Sequence, residues 1–575
     1  MSSTTAQAQD VLAPPVQDSI SLQQATTSTS AVPSLTSNRP DAHTQRYDRQ
    51  LRLWASSGQN ALEQAHVLVI NGSATASSTL KNLVLPGIGQ FTIIDSTKVK
   101  GSDIGNNFFL ETSSLGKSRA QETTRLLLEL NETVKGHALV KDLSELVANP
   151  QDVLEYTLII AVDADPENLV KISDIAWDNS IPLIKVQSCG FYGSLRTQVN
   201  EFPIVETHPE SLIDLRIHAP FPELVEYANS IDYSTLDNAD FSHVPAIIVL
   251  VKAMEQWKLD HSGQTPQNMT ERREFISQLT ALKRKSDDEN IDEAVALYRR
   301  AGTRPSIPTE IQELFDDPAC RNLTKESSNF WLLLRAVYEF TRHPSTGSLL
   351  PLSGALPDMH ADSKRYVQVQ NLYKTKARQD VLLVENILKE LIHSIPHFES
   401  KQLEERISKQ ELETFVKHCS FLKLIRGRSL RQELESPLIR DKFNELKQQA
   451  SLGETVDDSL SVWIGLRAMD KFMIENARYP GTSQDDIDGK KDIGQMLKLA
   501  GDILNNLNGG QIDQELTNVV EEICRAGASD LPQMAALLGG MVAQEAIKLI
   551  TKQYVPLNGT CIFNGIRSTT SIIQA

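Results

Sequence analysis

The sequence predicts an α/β fold: a doubly wound, Rossmann-like domain interrupted by a large, mainly helical insertion. Three observations carry this expectation. Short, continuously apolar runs recur early in the chain, as in strands buried on both faces of a parallel sheet. Segments of helical periodicity alternate with them up to residue 208. From 209 to 520 helical patterns with charged faces dominate, before short strand patterns return at the C-terminal end.

Residues 1–40 are mostly Ser, Thr, Gln, Ala and Pro and read as a disordered tail. They lack the apolar core of a signal peptide and the arginines of a transit peptide. Arg46–Trp54 sets Tyr47, Leu51, Leu53 and Trp54 among Arg46, Asp48, Arg49 and Arg52, an amphipathic helix with a basic face, and a second short helix follows Gly58. His66–Ile70 is the first apolar strand. A small-residue turn over Asn71–Ser78, a helix through Leu80, Leu83 and Leu85, and the strand Phe91–Asp95 complete a β-α-β unit. A helix over Lys117–Leu130 and strands at Leu158–Val162, Pro182–Val186 and Ser194–Val199 extend it. The predicted boundaries are therefore a tail at 1–40, the first part of the α/β domain at 41–208, the helical insertion at 209–520 and the rest of the α/β domain at 521–575. In that last part, Ser529-Asp-Leu-Pro532 reads as a helix start with a capping side chain and a first-turn proline. The helix it opens runs to about Thr551, and strands follow at Thr560–Phe563 and Thr569–Ile573.

The composition narrows the function. With 57 Lys and Arg against 74 Asp and Glu, the formal net charge is -17, which disfavours attraction to nucleic acid or to anionic membranes and favours proteins as partners. Five scattered cysteines, with no Cys-x-x-Cys pair, indicate neither a disulfide framework nor a structural zinc site, so a reducing compartment is expected. The apolar stretch Ala535–Ile550 is interrupted by Gln544 and Glu545, and no membrane span is expected.

The turn after the first strand is where a nucleotide fold holds phosphates, because glycines there let backbone N–H groups approach them at the helix N-terminus. Asn71-Gly-Ser-Ala-Thr-Ala76 has one glycine, and each β-carbon at a position of close approach obstructs a phosphate. From these residues alone, a loop that merely connects strand and helix is the better reading.

Four segments together resemble the adenylation domains of the ubiquitin-like-protein activating enzymes: Arg46–Trp54, Leu80–Gly89, Phe91–Asp95 and Gly539–Lys548. With Gly105–Phe109 and Ile550–Tyr554 added, the resemblance is to the regulatory branch of the neddylation activating heterodimer. Aligned through Lys81-Asn82, the family's Gly-x-Gly-Gly-x-Gly places Asn71, Ser73, Ala74 and Ala76 at its four glycines. Asn106 and Asn107 stand where the family's Arg-Gln pair acts on the triphosphate, so transition-state charge would go uncompensated. Arg119 matches a family lysine, Asp95 the ribose-side acid and Asp163 the magnesium-side acid, although a lone Asp at a strand end is more often a solvated or capping residue. The resemblance implies a degenerate nucleotide site and no catalytic residue or metal in this chain. Arg49 is the exception, since the family's arginine at this place reaches ATP bound in the opposite subunit, like an arginine finger supplied in trans.

No cysteine sits in a thioester signature: Cys320 has two acids close by, and Cys189 reads as buried filler. The implied protein is thus a partner of a catalytic subunit that holds ATP, magnesium and the acceptor cysteine. The cullin modifier and its conjugating enzyme are further partners, and the cytoplasm and nucleus the location. Two alternatives are a self-sufficient nucleotide-dependent adenylating enzyme or dehydrogenase, against which the missing glycines argue, and the partner subunit of the sumoylation activating enzyme, against which the long insertion argues. The helix from Leu538 to Thr551, with Gly539, Gly540 and Ala543, fits a subunit interface and intrachain packing equally well.

Overall fold

In β1 (His66–Ile70) successive side chains serve opposite faces of the sheet, so an unbroken apolar run is what a doubly covered strand requires. Val67 and Val69 enter one core with Phe91, Ile93, Ile160 and Val186. Leu68 and Ile70 enter another with Ile94, Ile159, Leu169 and Ile172. Each such side chain, fully buried, contributes about 1.5–3 kcal/mol of transfer free energy. The computed structural model describes residues 40–573, apart from 209–213, 302–305, 398–405, 434–438, 442–443, 446–447, 449–457, 484–488 and 508–510. The expected tail lies almost wholly outside the described residues.

β1, β2 (Gln90–Ile94), β3 (Lys135–Leu139), β4 (Leu158–Val162) and β5 (Leu183–Cys189) run parallel. β6 (Tyr192–Gln198) turns back antiparallel on β5. β7 (Glu201–Ile204) and β8 (Lys423–Arg426) form a separate antiparallel pair, and β9 (Gly559–Asn564) and β10 (Thr569–Ile573) extend the main sheet beyond β6. The order is β10-β9-β6-β5-β4-β1-β2-β3. Connections leave β1 toward β2 on one side while β4 lies on the other, so the ends of β1 and β4 form the topological switch point where such folds bind ligands.

Three strands differ from expectation. β3 has no apolar run because it is an edge strand, largely half-buried or exposed; at Gly136 a β-carbon would lie 2.7 Å from Phe91 Cζ. β7 and β8, also unexpected, are short, and they tie the chain entering the insertion to the chain leaving it.

Nine helices carry the argument. They are α1 (Asp48–Gln64), α2 (Ala74–Val84), α3 (Arg119–Leu128), α4 (Pro166–Asp178), α5 (Ser363–Ser394), α6 (Ser459–Asn476), α7 (Lys490–Asn506), α8 (Gln514–Ala526) and α9 (Pro532–Thr551). α1 joins the two short helices expected before and after Gly58, with a break at Trp54 and Ala55, where the first of them was expected to end. Gly58 lies past the break because Trp54 covers it: an added β-carbon would sit 2.8 Å from Trp54 Cβ.

The helical stretch is not one body. Between residues 215 and 424 it builds two cores, one around Trp257 and Phe275 and the other around Trp331 and Phe340. α5 spans both, giving Val369 and Tyr373 to the first and Val384, Leu388 and Ile392 to the second. From Ser459 onward the helices pack instead on the sheet, where Trp463, Phe472, Val519 and Ile523 meet Cys189, Tyr192, Ile562 and Ile573. The boundary drawn at 520 therefore cuts a layer that belongs to the α/β domain. α8 shows the local cause: Asp513 caps it by accepting from Leu516 N at 2.8 Å, and Leu516, Val519, Val520 and Ile523 form the stripe it buries.

α9 is long and apolar enough, by length and composition, to cross a membrane, contrary to the expectation drawn from Gln544 and Glu545. In the fold, however, it lies against the sheet and α2, burying Met534, Leu538, Val542, Ala546 and Leu549. Gly539 allows this approach, since a β-carbon there would fall 2.5 Å from Ser78 Cβ, whereas Gly540 faces open space. Intrachain packing thus accounts for Gly539 and for Ala543, which is buried.

Candidate functional site

The switch point is closed by the chain's own groups. Asn71, directly after β1, has φ of 70°, a conformation that asparagine tolerates better than most residues and glycine best. Its Nδ2 donates to the carbonyls of Val162 and Asp163 at 2.8 and 3.0 Å, fastening the end of β1 to the end of β4. Gly72 N donates to Asp95 Oδ2 at 2.8 Å. Ser73 is the N-cap of α2, its Oγ accepting from Ala76 N at 3.3 Å, and Ala74 and Ala76 are buried. The open end of α2 would otherwise be an anion site. Here the carboxylate of Asp530 takes that place, accepting from Thr75 N at 3.0 Å and from Thr75 Oγ1 at 2.8 Å.

The helix start expected at Ser529-Asp-Leu-Pro532 is present, with its first-turn proline, but the expected capping side chain is not. α9 begins after Leu531 with no side-chain cap. Asp530 caps α2 instead, a contact across 455 positions that local pattern cannot reveal.

The remaining residues gather around this corner. Asp95 is buried and accepts from Thr97 N at 2.8 Å, from Thr97 Oγ1 at 2.6 Å and from Arg119 Nε at 2.6 Å, so the acid matched to ribose binding is fully engaged. Burial works against the Arg119 guanidinium, but Asp95 and Asp103 outweigh it and raise its pKa. Asn107, also buried, donates from Nδ2 to Ser77 Oγ at 2.8 Å, bracing the first turns of α2. Asn106 is half-buried at the end of its short helix, and its side chain makes no hydrogen bond among the described residues. Asp163 has φ of 45° and accepts from Ser188 N at 2.9 Å. Although the residue keeps some surface, its carboxyl is enclosed, and burial and then the neighbouring Asp530 push its pKa well above the ordinary carboxylate range. A carboxyl that resists ionisation is a poor ligand for magnesium.

Behind the corner lies a buried charge network that the sequence did not reveal. Lys185 Nζ and Gln187 Nε2 each donate to Asp470 at 2.7 Å. Glu433 contacts both Arg467 and Arg196 and accepts from Trp463 Nε1 at 3.0 Å. Burial opposes the Glu433 charge, yet Arg467, Arg196 and Lys185 outweigh it and hold the pKa down at about 2. These residues come from β5, β6, α6 and a short helix at Leu430–Glu433, so only the fold brings them together.

Arg49 stands apart from the corner. It is exposed on α1, with no ion pair or side-chain hydrogen bond among the described residues, while Arg52 nearby is paired with Asp48 at 3.1 Å. All five cysteines are free and buried. Burial raises the pKa of Cys189 and Cys561 and lifts those of Cys320 and Cys419 to about 12, the opposite of an accessible thiolate ready for acyl transfer.

A Rossmann-type adenylation fold whose phosphate corner is filled by its own side chains, and whose thiols are sealed, defines a non-catalytic member of the adenylating class. The model of the ThiF family matches residues 47–575. The chain is 38% identical over 538 residues to the NEDD8-activating enzyme E1 regulatory subunit of Xenopus laevis, spanning 92% of this chain and 98% of that protein. It is 37% identical over 538 residues to the protein of the same name from Gallus gallus, with the same coverage. To the NEDD8-activating enzyme E1 regulatory subunit AXL of Arabidopsis thaliana it is 35% identical over 525 residues, 91% of this chain and 97% of that one. The chain belongs to the ThiF family and, within it, to the NEDD8-activating enzyme E1 regulatory subunits.

Proposed function

We propose that this chain is the obligate partner of a catalytic subunit that binds ATP and magnesium and carries the acceptor cysteine, and that Arg49 completes the ATP site of that subunit. The observation that carries the reading is a contrast within one domain. At the phosphate corner the backbone donors of Gly72, Thr75 and Ala76 are spent on Asp95, Asp530 and Ser73. Arg49, by comparison, is exposed and has no partner among the described residues. A guanidinium held free on a helix is suited to neutralise charge developing on a phosphoryl group in another subunit.

The helical insertion, with its two cores spanned by α5, serves on this reading as a wall of the groove for the ubiquitin-like modifier of cullins and its conjugating enzyme. The -17 net charge supports protein partners over nucleic acid or anionic membranes. Five free cysteines support work in a reducing compartment, the cytoplasm and nucleus.

The test is Arg49→Ala in the assembled heterodimer, read by ATP–pyrophosphate exchange. Assembly is expected to be intact and exchange to fall about 100-fold or more, the scale of losing one preorganised charge at a transition state. Unchanged exchange kinetics would remove Arg49 from the mechanism.

A further inference from the structure

Gln553 joins three distant stretches of chain at the root of the Arg49 segment. α1 breaks at Ala55, where φ is 53° and ψ is -175°. A β-carbon makes that region costly, and such a conformation persists only where its surroundings impose it. The carbonyl of Trp54, at the break, accepts from Gln553 Nε2 at 3.1 Å. The same Nε2 lies 3.4 Å from Glu206 Oε1, and Gln553 Oε1 accepts from His208 Nε2 at 3.1 Å. Gln553 is 2% exposed; its bond to Trp54 is buried and shielded from competing water, while those to Glu206 and His208 are partly buried.

The backbone around it is unusual in a consistent way. Ala55, His208, Lys552 and Tyr554 all have positive φ, at 53°, 48°, 55° and 58°, and none is glycine. Glu206 and Gln553 pair through a parallel bridge, Tyr554 N donates to Glu206 O at 2.9 Å, and the His208 ring stacks on Tyr554 at 4.5 Å. Glu206 and His208 lead directly into the helical insertion, and Thr207 Oγ1 donates to the Phe421 carbonyl at 2.9 Å, on the chain returning from it. One buried amide therefore fixes the break in α1 and the neck of the insertion together. Strain concentrated around a single polar side chain marks a place where direction matters.

We propose that Gln553 is a positioning residue: it holds the break that directs the Asp48–Leu53 turn, and so Arg49, outward, and it locks that direction to the neck of the insertion. The proposal rests on the reading of Arg49 as acting on nucleotide in the partner subunit. A side chain acting through another should lose its effect once the other is gone.

The experiment compares heterodimers carrying Gln553→Met, Arg49→Ala and both, with kcat and the KM for ATP taken from pyrophosphate exchange. Gln553→Met is expected to lower kcat about tenfold, the equivalent of one lost hydrogen bond at the upper end of its range, with KM for ATP changed less than about twofold. The double variant is expected to match Arg49→Ala alone within about twofold. Losses that multiply in the double variant, or a normal kcat in Gln553→Met, would overturn the proposal and leave the Arg49 reading standing. A normal rate in Arg49→Ala alone would overturn that reading and the proposal with it. Where Gln553→Met does not assemble, Gln553→Leu serves in its place, because it removes the donor to Trp54 without setting a second carboxyl beside Glu206. A folded Gln553→Leu heterodimer with normal exchange would likewise overturn the proposal.

Discussion

Replacing Asp530 by alanine removes the carboxylate that occupies the open end of α2. Two bonds are lost, from Thr75 N at 3.0 Å and from Thr75 Oγ1 at 2.8 Å. A capping acid exchanged for alanine costs about 1 kcal/mol, and a second charge-assisted bond adds roughly another. Relief of the repulsion between Asp530 and Asp163 offsets a little of this. The net expectation is a loss of about 2 kcal/mol, concentrated at the start of α2, where the cap acts. Native-state hydrogen exchange reads it locally: the amides of Thr75 and Ala76 should exchange about thirtyfold faster, while those of β1 change little. Titration with ATP and magnesium should still show no binding, because Arg119 still occupies Asp95 and Asn71 still fastens the ends of β1 and β4. Unchanged exchange at Thr75 would refute the capping role, and ATP binding by the variant would refute the claim that the corner is closed at several points.

Two further perturbations probe the buried charges. Glu433 is held at about 2 against an ordinary 4.5, so its contribution is present above about pH 4.5 and is lost as pH falls toward 2; the shift corresponds to about 3 kcal/mol. Glu433→Gln should lower the urea midpoint at neutral pH by a comparable free energy, since among the described residues it takes the only carboxylate from Arg196 and leaves Arg467 with Asp470 alone, and should flatten the loss of stability between pH 4.5 and 2. Asp163 behaves in the opposite sense. Its raised pKa favours the folded state at low pH, and that advantage is lost as pH rises from the unfolded carboxylate value through the folded one. Asp163→Asn keeps the acceptor for Ser188 N and suits the positive φ, so it should stabilise the protein at pH 7 and not at pH 4; denaturant titration at the two pH values checks both sign and window.

The parts of the fold that were legible are those whose cause is local. Strands such as Leu158–Val162 are buried on both faces and so must be apolar throughout, which a sequence states openly. β3, at an edge, needs no such run and was silent. The interruption of α1 was legible as two short helices, but what holds it was not, because Gln553 reaches the break from the far end of the chain. In the corner, Asn71, Ser73, Ala74 and Ala76 announced what had been lost. What fills the space did not announce itself: Asp530 arrives from another segment, and its own surroundings pointed to a different helix. The separation of α6, α7 and α8 from the rest of the helical stretch was hidden for a related reason. An amphipathic stripe records that a helix is covered, and it does not record whether a sheet or another helix covers it.

The most direct measurement is ATP–pyrophosphate exchange by the purified chain alone, followed by the same assay after addition of its catalytic partner, with thioester formation on the modifier read in parallel. The expected result is no exchange and no thioester from the isolated chain, with both appearing only in the heterodimer. Exchange by the chain alone would contradict a corner closed by Asp530, Asn71, Asp95 and Arg119, and with it the assignment of this subunit to a supporting role.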